Sequence, residues 1–536
     1  MKILSKLIKH GDDARKKIRS GIDQVADTVK RTLGPRGRNV VIHNDFGTPI
    51  ITNDGATIAR YIFLKDPFES IGADLIKLVA WNSNEKAGDG TTTATLLAQE
   101  ICQTGMKAVE AGHNPMAMTR ELEWGSKIIV EELKRMSKPI KSNEEIARVG
   151  TVSSSDPEVG KIISEIFKKL GNDAVISVEE SAKQGLDWEV VEGLEINTGL
   201  ISPMMMTNPD RMEANLKDPV ILITDQVITA PEELNAVIKI MKESNNRKLL
   251  LLCGGLEGQA LVEVVRSNAA GAFTIVAVKA PGIGDNQVAV LNDIATITGG
   301  EAILKEAGGD LQQLKEEQLG SATSFVGGMN FSRVVGGGGI KEAIQERINV
   351  LKKAAEEATD EFEKTKITER IEKMQGGVGV IKLGTASETE LKDKLYRMED
   401  AINSTKLAVK GGIVPGGGLA LLRAANKLSR QITIGESLIR DVCGKPLVQI
   451  CLNAGLEVEK IKDISKQLTD IVGYNAEKEV VENLMESGIV DPTLVVISEI
   501  ENAVSVARTL ITIESAIVEE PAPEAGLNEI RKDLIG

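Results

Sequence analysis

Histidine is nearly absent: His10, His43 and His113 are the only three in 536 residues. They share no metal-ligand spacing, which argues against a histidine-built metal centre, and a Ser-His-Asp hydrolase has too little to work with. Cysteine is as sparse. Cys102, Cys253, Cys443 and Cys451 stand far apart with no Cys-x-x-Cys pair, so a disulfide framework is not expected and four buried free thiols are. Aromatic residues make up only 3% of the chain. No apolar run approaches the roughly 18 residues that a membrane-crossing helix needs. The opening stretch, Met1 to His10, has an apolar core too short and too charged for a secretory leader. The expected compartment is therefore the cytoplasm. Positive charge is also in deficit. The 64 Lys and Arg face 78 Asp and Glu, for a net charge of −14, which argues against nucleic acid or an anionic membrane as the main partner. There is no internal repeat and no low-complexity tail.

What is present is an ordinary soluble composition, 42% hydrophobic and 26% charged. The length exceeds what one core organises, so two to four domains are expected. Apolar residues at helical spacing predict helices over about residues 12–33, 71–81, 92–111, 115–136, 143–149 and 158–170. Asn39 to His43 and Thr48 to Thr52 read as a hairpin around Phe46-Gly47, followed by a turn at Asn53-Asp54-Gly55. Gly150 to Pro157 reads as a polar loop, and Ala174–Val178 and Leu186–Glu195 as strands. Three short continuous apolar runs, Val220–Thr224, Leu249–Leu252 and Thr274–Val278, fit buried strands of an α/β layer. The helices between them carry Leu234, Val237, Ile238 and Met241, then Leu261, Val264 and Val265. Residues 341–372 read as a charged helical hairpin. Gly376-Gly377 leads into a strand, a long helix from Glu388 to Lys410 ends at Gly411-Gly412, and the remainder reads as helical. Glycine pairs on both sides of the middle block predict one domain nested in another, with hinges at the crossings.

The stretch Gly88-Asp89-Gly90-Thr91-Thr92-Thr93-Ala94-Thr95 reads as a loop opening into a helix. A helix N-terminus presents unpaired N–H groups and a positive dipole end, which suit a phosphate. Asp89 would repel a bare phosphate but could share a metal with one. Alone, the stretch reads better as a capped helix. Leu33-Gly34-Pro35-Arg36-Gly37 and Pro415-Gly416-Gly417-Gly418 are further glycine-rich elements, and none of the three is a P-loop or a dinucleotide fingerprint.

As a set they resemble the group I chaperonins, the ring-forming ATPases of bacteria and organelles. The resemblance runs from about residue 11 to about residue 520. It includes Asn39-Val40-Val41, Thr52-Asn53-Asp54-Gly55, Ala87 to Thr95, Val278-Lys279-Ala280-Pro281-Gly282, Asp293-Ile294-Ala295-Thr296, Glu399-Asp400-Ala401, Tyr474-Asn475-Ala476 and Asp491-Pro492-Thr493. It implies a multi-domain chaperonin fold with nested insertion. A mostly α equatorial ATPase domain would comprise about residues 1–135 and 412–536, a small α/β intermediate domain about 136–192 and 377–411, and an α/β apical domain about 193–376.

The resemblance also implies site residues. Gly90, Thr91, Thr92 and Thr93 would bind phosphate, with Thr32, Leu33, Gly34 and Pro35 as the facing loop and Ser153 reaching the phosphate side. Asp89 would hold Mg²⁺. Asp400 would position or deprotonate the attacking water, with Asp54 as its acidic companion. Gly417, Asn475, Ala476 and Asp491 would hold the base and ribose. Thr32, Asn53 and Thr92 would supply a K⁺ site. Leu200, Met204, Met205, Leu234, Ile238, Leu261 and Val265 would form an apolar apical groove for non-native polypeptides. The implied partners are those polypeptides, further copies of the chain in a heptameric ring, single or double, and a lid-like co-chaperonin.

The chain departs from the family at several points. Asn53 replaces a usual lysine, Met204 and Met205 replace aromatics, and Asn235 and Arg266 stand at usually apolar groove positions. Lys239 and Gln259 stand at usually acidic ones, and the Gly-Gly-Met-rich tail is absent. The expected function is ATP-dependent binding, encapsulation and release of non-native chains. These departures motivate an alternative, a ring-forming paralogue acting as a holdase or scaffold. A small-molecule ATP-dependent enzyme would need a second catalytic constellation, which the sequence lacks.

Overall fold

Helices dominate wherever an apolar stripe recurs every three or four residues, and the stripes define where the cores lie. The computed structural model describes residues 5–520, apart from 44–48, 173, 182, 209–210, 359, 386 and 429–432. The expected turn at Phe46-Gly47 and the final stretch Asn528–Gly536 lie outside the described residues. The chain forms two units. The first joins Met1–Glu165, Glu180–Leu186 and Leu383–Gly536; the second, Ile166–Glu179 and Asp187–Lys382, is inserted in it.

The first unit is built on the helices Gly11–Val29, Pro67–Ala87, Thr91–Glu110, Pro115–Met136 and Thr493–Ile511. Their inward faces supply Ile18, Ile22, Val25, Ile76, Leu97, Ile101, Leu122, Ile129, Ile500 and Val504 to one core. Asp66 and Asn114 start two of them by accepting hydrogen bonds from the first free amides. The Gly11–Val29 and Pro67–Ala87 helices touch backbone to backbone. A Cβ on Gly21 would lie 1.8 Å from the Glu69 carbonyl oxygen, and one on Gly72 would lie 1.9 Å from that of Ile18. A strand at Lys6–His10 pairs antiparallel with Ser515–Glu519.

The inserted unit holds a mixed sheet. Strands Thr274–Lys279, Lys248–Cys253 and Val220–Thr224 are mutually parallel; Gly320–Gly327, Ser332–Gly337 and Gly193–Ile196 continue it antiparallel. The apolar runs are continuous because both faces are covered. Ile221, Leu250, Leu252, Val276 and Val278 face Leu291, Ile294, Ile344 and Ile348. Leu222, Leu249, Leu251, Ile275 and Ala277 face Leu234, Val237, Met241 and Val264. The charged hairpin is present as helices Lys341–Glu357 and Glu361–Gly376. Buried Asp293 ties it down, accepting from Arg347 at 2.8 Å and Arg370 at 2.6 Å.

Four local expectations are corrected. Asn53-Asp54-Gly55 does not simply turn: Asp54 caps a helix, Gly55–Tyr61, accepting from the amides of Ala56 and Thr57. The supposed loop at Gly150 is the second half of a helix, Asn143–Ser154. Its polar side chains bond inward, Thr151 Oγ1 to the Ala147 carbonyl and Ser154 Oγ to that of Gly150, so polarity there does not mark a break. The expected strand Leu186–Glu195 divides at Glu192 into Gly185–Val191 and Gly193–Ile196. The last stretch is not all helical. Val472–Asn475 and Val480–Asn483 form a hairpin, and Val490–Pro492 pairs with Ile413–Pro415.

All four cysteines are free and buried. Burial pushes the thiols of Cys253 and Cys443 up to about 12 and that of Cys451 up to about 11. Among the described residues no helix is long and apolar enough to cross a membrane.

Candidate functional site

The Thr91–Glu110 helix begins where Gly88 and Gly90 each adopt a left-handed conformation, with φ of 61° and 79°. Asp89 lies between them. Its Oδ1 accepts from the Gly90 amide at 2.6 Å. Its Oδ2 accepts from Ser153 Oγ at 3.2 Å and from Ser404 Oγ. Ser153 is on the Asn143–Ser154 helix and Ser404 on the Glu388–Gly411 helix, so two helices converge on one carboxylate. Gly88 is pressed against the second of them. A Cβ there would lie 2.2 Å from Asn403 Nδ2.

Asp400 precedes Ser404 by four residues on the same helix and so lies on the same face one turn away. Asp54 also lies close enough to interact with the Asp89 charge. Its own helix abuts the threonines, since a Cβ on Gly55 would lie 2.6 Å from Thr92 Oγ1 and 3.0 Å from Thr91 Oγ1.

The loop from Thr32 to Pro35 is anchored by Asn453, whose Nδ2 donates to the carbonyls of Lys30 and Leu33, both at 2.9 Å. Arg36 extends it to the Val472–Asn483 hairpin, donating to the Glu477 carbonyl at 3.1 Å and pairing with Glu479. In that hairpin Asn475 and Ala476 are buried. Asn475 Oδ1 accepts from the amides of Glu477 and Lys478, and its Nδ2 donates to Glu482 at 2.7 Å. Asp491 pairs across from Val414. A Cβ on Gly416 would lie 2.9 Å from Asp491 Oδ1, and Gly417 turns left-handed beside it. Of the expected nucleotide residues, Ser153 bonds Asp89 at the head of this helix, and Asp54 and Asp491 lie close enough to interact with the Asp89 charge.

The electrostatics are those of crowded acids. Burial raises Asp89, and nearby Asp54 adds to this, against the hydrogen bonds from Ser404, Gly90 and Ser153. Burial, then the charge of Asp89, pushes Asp491 up to about 7. Glu499, on the Thr493–Ile511 helix, is raised well above the carboxylate range by burial and by Asp491 and Asp89. Such a site favours cations. Among the described residues no group of three or more His, Cys, Asp or Glu side chains could hold a metal unaided. Sequence reasoning missed Ser404, Asn403 and Glu499. The first two were accessible from the helical spacing that follows Asp400; Glu499 had no local signal.

The apolar groove needs correction. Leu200, Met205 and Leu234 are core residues, 4%, 1% and 3% exposed. Leu200 is bridged to Val278, Met205 Sδ accepts from the Ala277 amide, and Leu234 packs with Val237 and Met241. Ile238, Leu261 and Val265 are half-buried. Met204 is 71% exposed, and Val262, which was not anticipated, is 66% exposed. Asn235, Lys239, Gln259 and Arg266 are exposed on the same helices.

A family model described as the TCP-1/cpn60 chaperonin family matches residues 25–521. Among solved structures, the chain is similar to the chaperonin gp146 from bacteriophage EL 2 (Pseudomonas aeruginosa), crystallised in the presence of ATP-BeFx. One crystal form matches at 20% identity with a TM-score of 0.68, covering 96% of this chain and 100% of that one. The other matches at 20% identity and 0.62, covering 96% and 99%. At that identity the likeness shows the fold.

Proposed function

Because the chain belongs to the TCP-1/cpn60 chaperonin family, we propose that it is an ATP-hydrolysing chaperone that binds non-native polypeptides and works as a ring of its own copies. The observation that carries this reading is the convergence of Ser153 and Ser404 on Asp89 at the head of the Thr91–Glu110 helix. A carboxylate held from two helices at a helix N-terminus suits a metal-bound triphosphate.

In this reading the amides of Gly90 to Thr93 bind the phosphates, and Thr32 to Pro35 close the opposite side. Gly417, Asn475, Ala476 and Asp491 hold the base and ribose. Asp89 would hold Mg²⁺, which would neutralise charge that builds up during transfer. Asp400 orients a water and takes its proton as the water attacks the terminal phosphorus, the bond to the bridging oxygen breaks, and ADP leaves. Asp54, already spending its oxygens on the amides of Ala56 and Thr57, adds negative potential that orients the water. Thr32, Asn53 and Thr92 are the donors for a K⁺ ion.

This reading keeps domain boundaries near residues 136 and 411, where two stretches of the first unit are bonded to each other. Ser137 Oγ donates to the Gly411 carbonyl at 2.8 Å, and Lys138 and Ile413 exchange backbone hydrogen bonds at 2.9 and 2.8 Å. Polypeptide would bind on Met204 and Val262 with the half-buried Ile238, Leu261 and Val265. The compartment assigned is the cytoplasm.

The test is ATP turnover by the purified chain together with rescue of an aggregation-prone protein, with and without a lid-like co-chaperonin. The reading expects Asp400→Ala to lower turnover at least a hundredfold, on the order of the loss of a general base, and to abolish rescue. No turnover in the unmodified chain would overturn it.

A further inference from the structure

Glu499 is the buried acid that the proposed nucleotide site leaves without a task. It is 7% exposed. A Cβ on Gly90 would lie 2.7 Å from Glu499 Oε1 and 2.8 Å from its Cγ, so the side chain packs on the backbone of the phosphate loop. The Thr93 side chain is near enough to act on it as a hydrogen-bonding neighbour. An apolar residue could fill this place beside Val495 without the desolvation that a carboxyl entails. A buried polar group that is fully paired fixes geometry at a cost in stability.

We propose that Glu499 is a positioning residue: it holds the Thr93 hydroxyl and the Gly90 backbone from behind, so that the first turn of the Thr91–Glu110 helix offers its amides to the triphosphate in one orientation. This rests on reading that turn as the phosphate site. The single proton of the Thr93 hydroxyl is then committed to Glu499. Thr93 therefore serves the anion through its backbone amide, unlike a threonine whose hydroxyl is free to donate.

The experiment compares Glu499→Met, which keeps the volume and removes the acceptor, with Glu499→Gln, which keeps an acceptor. Glu499→Met is expected to raise KM for Mg-ATP about fivefold, the loss of one hydrogen bond, with kcat changed less than about twofold. Glu499→Gln should restore KM to within about twofold of the unmodified protein. Thr93→Val should match Glu499→Met, and the double variant should be no worse than either alone. An unchanged KM in Glu499→Met, or additive effects with Thr93→Val, would overturn the proposal. Hydrogen exchange on the nucleotide-free protein gives a readout independent of ATP. Amides of residues 90–95 should exchange faster in Glu499→Met than in Glu499→Gln, and equal rates would also overturn it. If the unmodified chain turned over no ATP, the proposed function would fail while the exchange comparison still judged Glu499.

Discussion

Ser404 donates its hydroxyl to Asp89 Oδ2, the same oxygen that Ser153 reaches at 3.2 Å. The two serines come from helices that precede and follow the inserted unit in the chain. Asp89 therefore registers the position of both. On the proposed reading of Asp89 as the cation ligand, loosening either serine should be felt as weaker metal use.

Ser404→Ala is expected to raise the Mg²⁺ concentration needed for half-maximal ATP turnover about tenfold, within the range for lost outer-shell partners. Asp89→Asn should abolish the Mg²⁺ response altogether. Titrating turnover against Mg²⁺ checks both, and an unaltered half-point in Ser404→Ala would remove that residue from the site.

Asp491 makes stability depend on pH. Its folded value of about 7 lies above the ordinary 3.8. Between those values the folded chain keeps a proton that the unfolded chain has released, so this residue's contribution falls as pH rises through the window. Asp491→Asn should flatten the change in melting temperature of the nucleotide-free protein from about pH 5 to about pH 8. A slope as steep as in the unmodified protein would contradict the assignment.

Gly90→Ala meets two obstacles. The left-handed φ of 79° strains any side chain, and the new Cβ would lie within 2.9 Å of both Glu499 and Val495. A loss of about 2 kcal/mol or more in unfolding free energy is expected, together with weakened nucleotide binding. Chemical denaturation and a calorimetric ATP titration measure the two effects separately.

Leu234→Ala and Val262→Glu should separate core from surface. The first removes a buried side chain and should cost about 2–5 kcal/mol of stability. The second alters a residue that is 66% exposed and should leave stability within about 0.5 kcal/mol while reducing capture of an unfolded protein. If Val262→Glu captured as well as the unmodified chain, the binding face would lie elsewhere.

The buried strands of the inserted unit were legible because Leu249 to Leu252 and their neighbours are apolar on both faces, a pattern that demands cover from two sides. Long amphipathic helices were legible for a similar reason. The Gly55–Tyr61 helix was not, because a capping aspartate before glycine resembles a turn until the following amides are seen to bond it. The Lys6–His10 strand pairs with a segment at the far end of the chain, and no local pattern encodes so distant a partner. At the site, the glycine and threonine run alone reads better as a capped helix, because the serines that bond Asp89 stand far from it in the chain. The groove was misjudged because apolar helical spacing identifies an inward face and an interaction face equally well; only burial distinguishes Leu234 from Val262.

The four buried cysteines make the protein its own unfolding clock. Their raised thiol values leave almost no thiolate near neutral pH. A thiol reagent should therefore register each cysteine only after its surroundings open. Cys253 lies in the inserted unit and Cys102, Cys443 and Cys451 in the other. The order in which peptides acquire label thus reports which unit opens first, with no engineered probe.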